Sequence, residues 1–308
     1  MVRSVGGVSV AERISQLGDL DPRLVTGSTA RQRRARAFLN LLWVPREGPL
    51  EVTFEAPDGA VHAHTLSWAN APENPYANYP QHVTGVLLPS GAALVYIPTF
   101  AKGEDRDPAA EFDALLAQFM DAPGLIIDLR DNGGGASFVA EAIDGRLLPE
   151  AFAYGTEWYR TPLPRFGWRT EREARVRPRG ESYDGPLVLL IDTLNMSTAE
   201  TFIVSLTDSG QAQTVGRHTA GASGNPAAFR LVGGGRARYS QGSFTRPDGT
   251  PLEGEGIAPD VAVTWTLEDV RAGHDPDVAR RRGPTRPGTV RPKASATLLI
   301  AQRFLFVR

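Results

Sequence analysis

Two short apolar runs of this chain end in residues that could perform acyl transfer. The first, at 124–135, ends in three consecutive glycines, and the second, at 186–200, brings Ser197 to the start of a predicted helix. Glycine lets backbone amides approach a ligand closely because it has no Cβ. The first turn of a helix leaves N–H groups without partners and favours negative charge. A hydroxyl beside such amides is the minimum requirement for acyl transfer, so we predict an active site where these two runs end.

The same residues have simpler interpretations. Ser197 and Glu200 form a Ser-x-x-Glu pattern, which is typical of a capping box in which the glutamate returns to the serine amide. On that pattern alone a helix cap is favoured, whereas the preceding apolar strand and the separate glycine turn favour a nucleophile. Glu200 is then expected both to cap the helix and to organise the site. The glycine turn could also hold a phosphate, but no Gly-Lys-Ser/Thr follows it.

Alternating strands and helices are predicted around these motifs. The predicted strands lie at 92–98, 125–129, 187–191 and 212–216, and the predicted helices lie at 108–120, 137–147 and 198–207. This alternation indicates an α/β core whose strands are at least partly parallel. Functional residues gather at strand ends in such sheets, which is where both motifs lie. Asp128 and Arg130 alternate along one strand and are expected to pair with each other as part of the architecture.

The other segments are predicted to be a partial first unit, a linker and a tail. Residues 1–68 show one strand, helical stretches and a hairpin with the turn Pro57-Asp-Gly, which is too little sheet for a free-standing domain. We therefore expect the natural domain to begin upstream of Met1. Residues 69–90 are rich in asparagine and proline and are interpreted as a linker. Residues 280–308 combine basic side chains with proline and are predicted to be a disordered tail.

Composition limits the classes of partner and of chemistry. The net charge of −2 over 308 residues gives no general reason to expect nucleic acid or an anionic membrane as a partner. The absence of cysteine excludes disulfides, thiolate nucleophiles and cysteine metal sites. No apolar run approaches the roughly 20 residues that a membrane span needs, and the N-terminus lacks the apolar region of a signal peptide. His62 and His64 share one face of the hairpin, but without further ligands nearby an exposed strand face is favoured over a metal site.

Five motifs, in their order along the chain, resemble the C-terminal processing (tail-specific) serine peptidases of family S41. They are the run at 124–135, Ser197-Thr-Ala-Glu200, Asp208, the stretch at 215–221 and Gly254-Glu-Gly-Ile-Ala-Pro-Asp260. The resemblance implies an α/β catalytic domain at 91–275, with a mixed sheet and helices in a crotonase/ClpP-like spiral. Residues 1–68 resemble the later part of a PDZ domain through Gly7-Val-Ser-Val-Ala and the hairpin.

The resemblance also implies roles for individual residues. Ser197 is the expected nucleophile, and backbone amides form the expected oxyanion hole. These amides belong to Gly133, Gly134, Gly135 and Thr198. One branch of the family uses a lysine base 25 residues after the serine, but this chain has Ala222 there, so a serine–lysine dyad is excluded.

The sequence instead resembles the tricorn-related branch, which implies a histidine base from a region ahead of the PDZ domain. The family's base is therefore expected outside this chain. In that branch a glutamate near the Gly-Ile-x-Pro-Asp motif helps to organise the serine, and Glu253 fits best. Within the chain, His218 is the candidate base, because it lies four residues before Ala222 on a loop expected to pass near Ser197. A loop histidine is more often solvated or structural, so both interpretations stay open.

Three functions are compatible with these residues. The leading prediction is a serine endopeptidase that binds an extended or C-terminal polypeptide segment by strand addition and forms an acyl-enzyme on Ser197, without metal or nucleotide. The second is a non-catalytic peptide-binding protein on the same scaffold, and the third is a crotonase-like acyl-CoA enzyme. The family resemblance implies an extracytoplasmic location, periplasmic or secreted. The sequence predicts no oligomeric state.

Overall fold

The computed structural model describes residues 1–20, 27–42, 48–56, 58–67, 81–160 and 168–279. The chain divides after residue 80 into two compact units. Within the described residues, no helix is both long enough and apolar enough to cross a membrane. The predicted disordered tail at 280–308 lies outside the described residues.

The first unit contains an antiparallel four-stranded sheet and two helices. Its elements are β1 (Val2–Val5), β2 (Val8–Ser9), α1 (Val10–Leu20), α2 (Ala30–Leu39), β3 (Leu50–Glu55) and β4 (Val61–Leu66). The strand order is β2-β1-β3-β4, so the predicted hairpin β3–β4 extends a sheet that begins with β1. Val5 pairs with Val52 across this sheet, and both are buried with Ile14 and Leu17 of α1. The PDZ-like assignment of this unit stays a prediction.

The second unit is built around a six-stranded sheet. The strands are β5 (Thr84–Leu87), β6 (Ala93–Tyr96), β7 (Leu125–Asp128), β10 (Leu187–Ile191), β11 (Ala212–Gly216) and β15 (Val261–Ala262). Their order is β15-β11-β10-β7-β6-β5. All neighbours are parallel except β5, which pairs antiparallel with β6. The prediction of an α/β core whose strands are at least partly parallel is therefore confirmed.

Five helices accompany this sheet in the described chain. They are α3 (Pro108–Phe119), α4 (Ser137–Asp144), α5 (Thr198–Asp208), α6 (Leu267–Arg271) and α7 (Pro276–Ala279). On α3, Phe112, Leu116 and Phe119 are buried, and Leu115 packs against the same core. Burying such side chains contributes about 1.5–3 kcal/mol each to folding.

Several strands lie where the sequence shows no simple pattern. They are β8 (Phe152–Arg160), β9 (Trp168–Val176), β12 (Pro226–Arg230), β13 (Arg236–Ser240) and β14 (Gly242–Thr245). The order β14-β8-β9 forms a separate antiparallel sheet, and β12 pairs with β13. Strand β5 likewise lies inside the segment 69–90 that we predicted to be a linker, so that segment's later part belongs to the sheet.

Parallel pairing brings the two sequence motifs to the same edge of the large sheet. Strands β7 and β10 are in register from Leu125 opposite Leu187 to Asp128 opposite Leu190. The glycine turn and the Ser197 turn follow the carboxyl ends of these two neighbouring strands, so both turns emerge side by side. Asp128 also binds Arg130 at 2.6 Å, as expected, within an ion-pair network that includes Asp275 and Asp277.

Candidate active site

Ser197 lies at the turn between β10 and α5 in a conformation that is rare for a non-glycine residue. Its φ is 56° and its ψ is −130°. Its side chain makes no capping hydrogen bond, although it occupies the N-cap position of α5. The capping-box interpretation of Ser197 and Glu200 is therefore wrong. The physical reason is that the Ser197 amide donates to the carbonyl of Ala222 at 2.7 Å instead of to Glu200.

Glu200 ties helix α5 to the loop that follows β11. Its side chain is fully buried. Its carboxylate accepts hydrogen bonds from Thr219 Oγ1 at 2.5 Å, from the Gly221 amide at 2.7 Å and from the Ala222 amide at 2.9 Å. Burial raises the pKa of Glu200, while these three hydrogen bonds favour the ionised form and oppose that rise. Glu200 thus fixes the position of the loop whose carbonyl binds the Ser197 amide.

The glycine turn packs directly against Ser197. Gly134 has a φ of 97°, and a Cβ on it would lie 3.0 Å from Ser197 Cβ and 3.0 Å from the Thr198 nitrogen. Its own amide donates to Asn132 Oδ1 at 2.8 Å, so it is already engaged within the turn. A Cβ on Gly135, whose φ is 149°, would lie 2.2 Å from the carbonyl carbon of Phe100. Only glycine permits both close approaches.

Two backbone amides at this junction are free to bind a ligand oxygen. Within the described residues, the amides of Gly135 and Thr198 have no hydrogen-bond acceptor, and both residues line the cleft beside Ser197. Thr198 Oγ1 donates to the Gly135 carbonyl at 2.8 Å, which couples the glycine turn to the start of α5. Gly133 is exposed and lies outside the lining of this cleft. Of the four predicted oxyanion donors, Gly135 and Thr198 are therefore the two that line the cleft and whose amides have no acceptor among the described residues.

The cleft beside Ser197 lies between the glycine turn, α5 and the sheet β14-β8-β9. Its described lining consists of Gly135, Ser137, Glu157, Tyr159, Ser197, Thr198, Thr201, Ser223, Asn225, Gly242, Ser243 and Phe244. Hydroxyl, amide and backbone groups dominate this lining. Its position next to a serine and two free amides makes it the candidate substrate site.

Glu253 and His218 do not line this cleft in the described chain. Glu253 is exposed and accepts a 2.6 Å hydrogen bond from the Ser223 amide, so it supports a residue of the cleft wall. His218 is half-buried in the loop after β11, directly before Thr219, which binds Glu200. Glu253 therefore contacts the loop at 219–223, which His218 directly precedes in the chain. The carbonyl of Ala222 connects this loop to the Ser197 amide.

Two buried asparagines that the sequence analysis did not single out brace the turns. Asn132 Nδ2 donates to the Ile97 carbonyl at 2.9 Å. Asn195 Nδ2 donates to the carbonyls of Leu129 and Asn132, and its Oδ1 accepts from the Asp192 amide at 2.7 Å. Each asparagine lies four residues after the end of a strand, β7 or β10, and that position in a turn is the sequence signal that could have identified them.

A pair of carboxylates lies behind the same turns. The Asp131 amide donates to Asp192 Oδ2 at 3.2 Å, and Asp131 has a φ of 68°. Burial, followed by the charge of Asp131, raises the pKa of Asp192 to about 6, while Arg217 opposes the rise. Ionisation of Asp192 is thus linked to the backbone that carries both motifs. No group of three or more metal-ligating side chains is arranged to hold an ion in the described chain.

Comparison with known proteins agrees with this geometry. The family model of peptidase family S41 matches residues 91–263. This chain belongs to peptidase family S41. The match contains both motifs and the loop that binds Glu200, and it confirms the resemblance inferred from the five sequence motifs.

Individual relatives share only part of their length with this chain. The tricorn protease of Thermoplasma acidophilum is 26% identical over 171 residues, which are 54% of this chain and 14% of that protein. A protein of Chlamydia trachomatis is 30% identical over 132 residues, 41% of this chain and 21% of the relative. The structure of mature CPAF complexed with lactacystin has a TM-score of 0.70 at 18% identity, covering 88% of this chain and 74% of that one. At such identity the structural likeness establishes the fold alone.

Proposed function

We propose that the second unit is the catalytic core of a serine endopeptidase in which Ser197 is the nucleophile. The observation that carries this proposal is the position of the serine beside two free amides. Ser197 is held at a strained strand-to-helix turn, with the unpaired amides of Gly135 and Thr198 lining the same cleft. Strained backbone at a nucleophile keeps its hydroxyl exposed to substrate.

The chemistry follows from these groups. The Ser197 hydroxyl attacks the carbonyl carbon of the scissile peptide bond and gives its proton to a general base. The amides of Gly135 and Thr198 donate to the oxyanion of the tetrahedral intermediate, where they stabilise the developing charge. Collapse breaks the C–N bond, and the leaving amine takes the proton from the base. Water then attacks the acyl-enzyme in the same way and releases Ser197.

The general base is the part of this mechanism that the cleft does not contain. No histidine or lysine is among the described residues that line it, and Ala222 stands where a serine–lysine peptidase would have its lysine. We propose that the base comes from outside this chain, with His218 as the alternative within it. His218→Ala separates the two sources, because an external base leaves the rate of acylation unchanged.

The missing base also favours a second candidate function. A protein with this cleft and no base would bind an extended peptide without cleaving it. In that case Ser197→Ala would leave peptide affinity unchanged, and hydrolysis would be absent at every pH. The family match favours the peptidase over the acyl-CoA enzyme that the sequence also permitted.

Labelling with a fluorophosphonate probe tests the proposed nucleophile. The purified chain is incubated with the probe between pH 6 and 9, and the labelled peptide is identified by mass spectrometry. Because the isolated chain lacks the external base, hydroxide must take the Ser197 proton, and we expect a single adduct on Ser197 that forms slowly and faster toward pH 9. Ser197→Ala abolishes this adduct while the far-UV circular dichroism is unchanged. An adduct at another residue, or hydrolysis of a peptide library by Ser197→Ala, would refute the assignment. Specific binding of library peptides without any adduct or hydrolysis would support the non-catalytic function instead.

A further inference from the structure

The candidate substrate cleft contains one carboxylate, that of Glu157, which has no cation within hydrogen-bond distance among the described residues. Among its described lining residues, Glu157 is the one with a charged side chain. It lies on β8 opposite Phe244 of β14, and Tyr159 lies opposite Gly242. Cross-strand partners share a face of a sheet, and all four residues line the cleft. This face of the small sheet is therefore the wall opposite Ser197's helix and the glycine turn.

The Glu157 carboxylate is oriented by a neutral partner. The Tyr159 hydroxyl donates to Glu157 Oε2 at 2.8 Å. Burial, this hydrogen bond and the charge of Glu157 raise the pKa of Tyr159, so the hydroxyl keeps its proton and holds the carboxylate in place. The Glu157 side chain is 15% exposed. A fixed, mostly buried carboxylate is a specific acceptor for a cationic group.

The nearest cation does not neutralise this carboxylate by itself. Arg172 Nε lies 3.7 Å from Glu157, beyond hydrogen-bond distance, and Arg172 Nη2 lies 3.6 Å from Glu141. One guanidinium, itself 57% exposed, thus faces two carboxylates. The cluster of Glu141, Glu157 and Arg172 has a net charge of −1 at neutral pH. A cationic substrate group would complete it.

The rest of the lining suits a long basic side chain better than an apolar one. The rings of Phe244 and Tyr159 can pack along the methylene stem of a lysine or arginine. Hydroxyl and amide oxygens of the lining, including those of Thr201 and Asn225, can accept the N–H groups that Glu157 leaves unpaired. An aliphatic side chain would cover these polar groups without hydrogen-bonding to them, which costs free energy.

We propose that Glu157 selects a lysine or arginine side chain of the polypeptide substrate, next to the peptide bond that faces Ser197. This inference rests on the proposed function for the location of the scissile bond. It deepens that function by assigning the class of side chain that the cleft recognises.

Peptide binding tests this selectivity without requiring catalysis. In the Ser197→Ala background, fluorescence anisotropy measures the affinity of one peptide series whose central residue is lysine, arginine, leucine or glutamate. We expect the lysine and arginine peptides to bind at least tenfold more tightly than the leucine peptide. We expect Glu157→Gln, which keeps the size of the side chain, to remove this difference, and Glu157→Lys to reverse it in favour of the glutamate peptide.

A matched control removes one carboxylate elsewhere on the same sheet. Glu173 lies on β9 and is exposed, pairing with Arg175 outside the cleft lining. Glu173→Gln should keep the preference for basic peptides. Equal affinity for all four peptides in the parent protein, or a preference that survives in Glu157→Gln, would overturn the proposal.

Probe labelling of the same Glu157→Gln protein, with Ser197 intact, keeps the two proposals distinguishable. Full labelling with lost basic preference supports both of them. An absent Ser197 adduct together with a Glu157-dependent basic preference overturns the peptidase mechanism and leaves the selectivity standing. Labelled Ser197 in a parent protein that shows no basic preference overturns the selectivity alone.

Discussion

The backbone amide of Ser197 donates a 2.7 Å hydrogen bond to the carbonyl of Ala222. The amide of Ala222 in turn donates to Glu200, one turn along the helix that Ser197 begins. Through these two bonds Ala222 links the Ser197 backbone to Glu200 of the same helix. The Ser197 backbone is thereby held in place while its hydroxyl takes no part in capping the helix. The position at which one branch of the family has a lysine thus still contacts the nucleophile, but through main-chain atoms.

Replacing Ser197 by glycine should stabilise the protein. Its φ of 56° with a ψ of −130° is strained for a residue with a Cβ, at a cost of about 1–3 kcal/mol. Glycine removes that strain. It also increases the conformational entropy of the unfolded chain, which lowers the free energy of unfolding by about 0.4–1 kcal/mol. We expect Ser197→Gly to raise the free energy of unfolding by about 1 kcal/mol in urea denaturation. Ser197→Ala retains the Cβ and should change it by less than about 0.5 kcal/mol. Equal stabilisation by both variants would attribute the effect to loss of the hydroxyl.

The three glycines should differ sharply in their tolerance of alanine. A Cβ on Gly133 would meet only the flexible end of Met196, at 3.2 Å, so Gly133→Ala should change stability by less than about 0.5 kcal/mol. A Cβ on Gly135 would overlap the Phe100 backbone at a positive φ, so Gly135→Ala should destabilise by more than about 2 kcal/mol. Thermal unfolding of the two variants checks this order. Similar melting temperatures would show that the turn rearranges to admit a side chain.

Gly134→Ala should disturb the candidate site as well as lower stability. At a φ of 97°, its Cβ would press on the Met196 carbonyl oxygen at 2.9 Å and on Ser197 Cβ and the Thr198 nitrogen, each at 3.0 Å. Relief of that contact requires the nucleophile and an oxyanion donor to move. We expect labelling of Ser197 by a fluorophosphonate to slow at least tenfold under conditions where circular dichroism shows a folded protein. Unchanged labelling would indicate that the turn is not part of the oxyanion site.

The sequence predicts the strand ends and the turns that carry the motifs, since β7 and β10 are short apolar runs that become parallel strands in which every residue except Val188 is buried. It does not predict the cleft wall. Strands β8 and β9 contain many charged residues, and their pairing is interrupted by irregularities near Gly155 and Arg160, so no regular alternation appears. Glu157 acquires Phe244 as its neighbour in the cleft wall only when β8 pairs with β14, which follows much later in the chain.

The hydrogen bonds of Glu200 likewise cannot be predicted from the local sequence. The Ser-x-x-Glu pattern is local and predicts a local cap, whereas the carboxylate binds Thr219, Gly221 and Ala222, all from a different loop. Tertiary hydrogen bonds therefore replace the predicted capping interaction.

Removing the Glu200 carboxylate should destabilise the loop and the site together. Glu200→Ala would leave three donors without acceptors inside the protein, and each buried unsatisfied group costs about 1–3 kcal/mol. Glu200→Gln keeps the volume but places an NH₂ group against a backbone N–H, so it should recover only part of this loss. Urea denaturation gives the order parent, Glu200→Gln, Glu200→Ala. A Glu200→Gln variant as stable as the parent would mean that the carboxylate is protonated in the folded protein.

The pair of Asp131 and Asp192 should make stability depend on pH between about 4 and 6. The pKa of Asp192 rises from 3.8 to about 6 on folding, through burial and then the charge of Asp131. A raised pKa means that the folded state holds the proton more tightly. The stabilisation that the protonated Asp192 contributes is complete below about pH 4 and is lost as the pH rises through about 6.

Asp131→Asn removes the like charge, and asparagine tolerates the φ of 68° at this position. We expect this variant to be more stable than the parent at pH 7, with little difference at pH 4. Denaturation in urea at pH 4, 5, 6 and 7 measures the two curves, and Asp105→Asn, at an exposed loop position, is the control for loss of one surface charge. Parallel curves for the parent and Asp131→Asn would show that burial alone, without Asp131, sets the ionisation of Asp192.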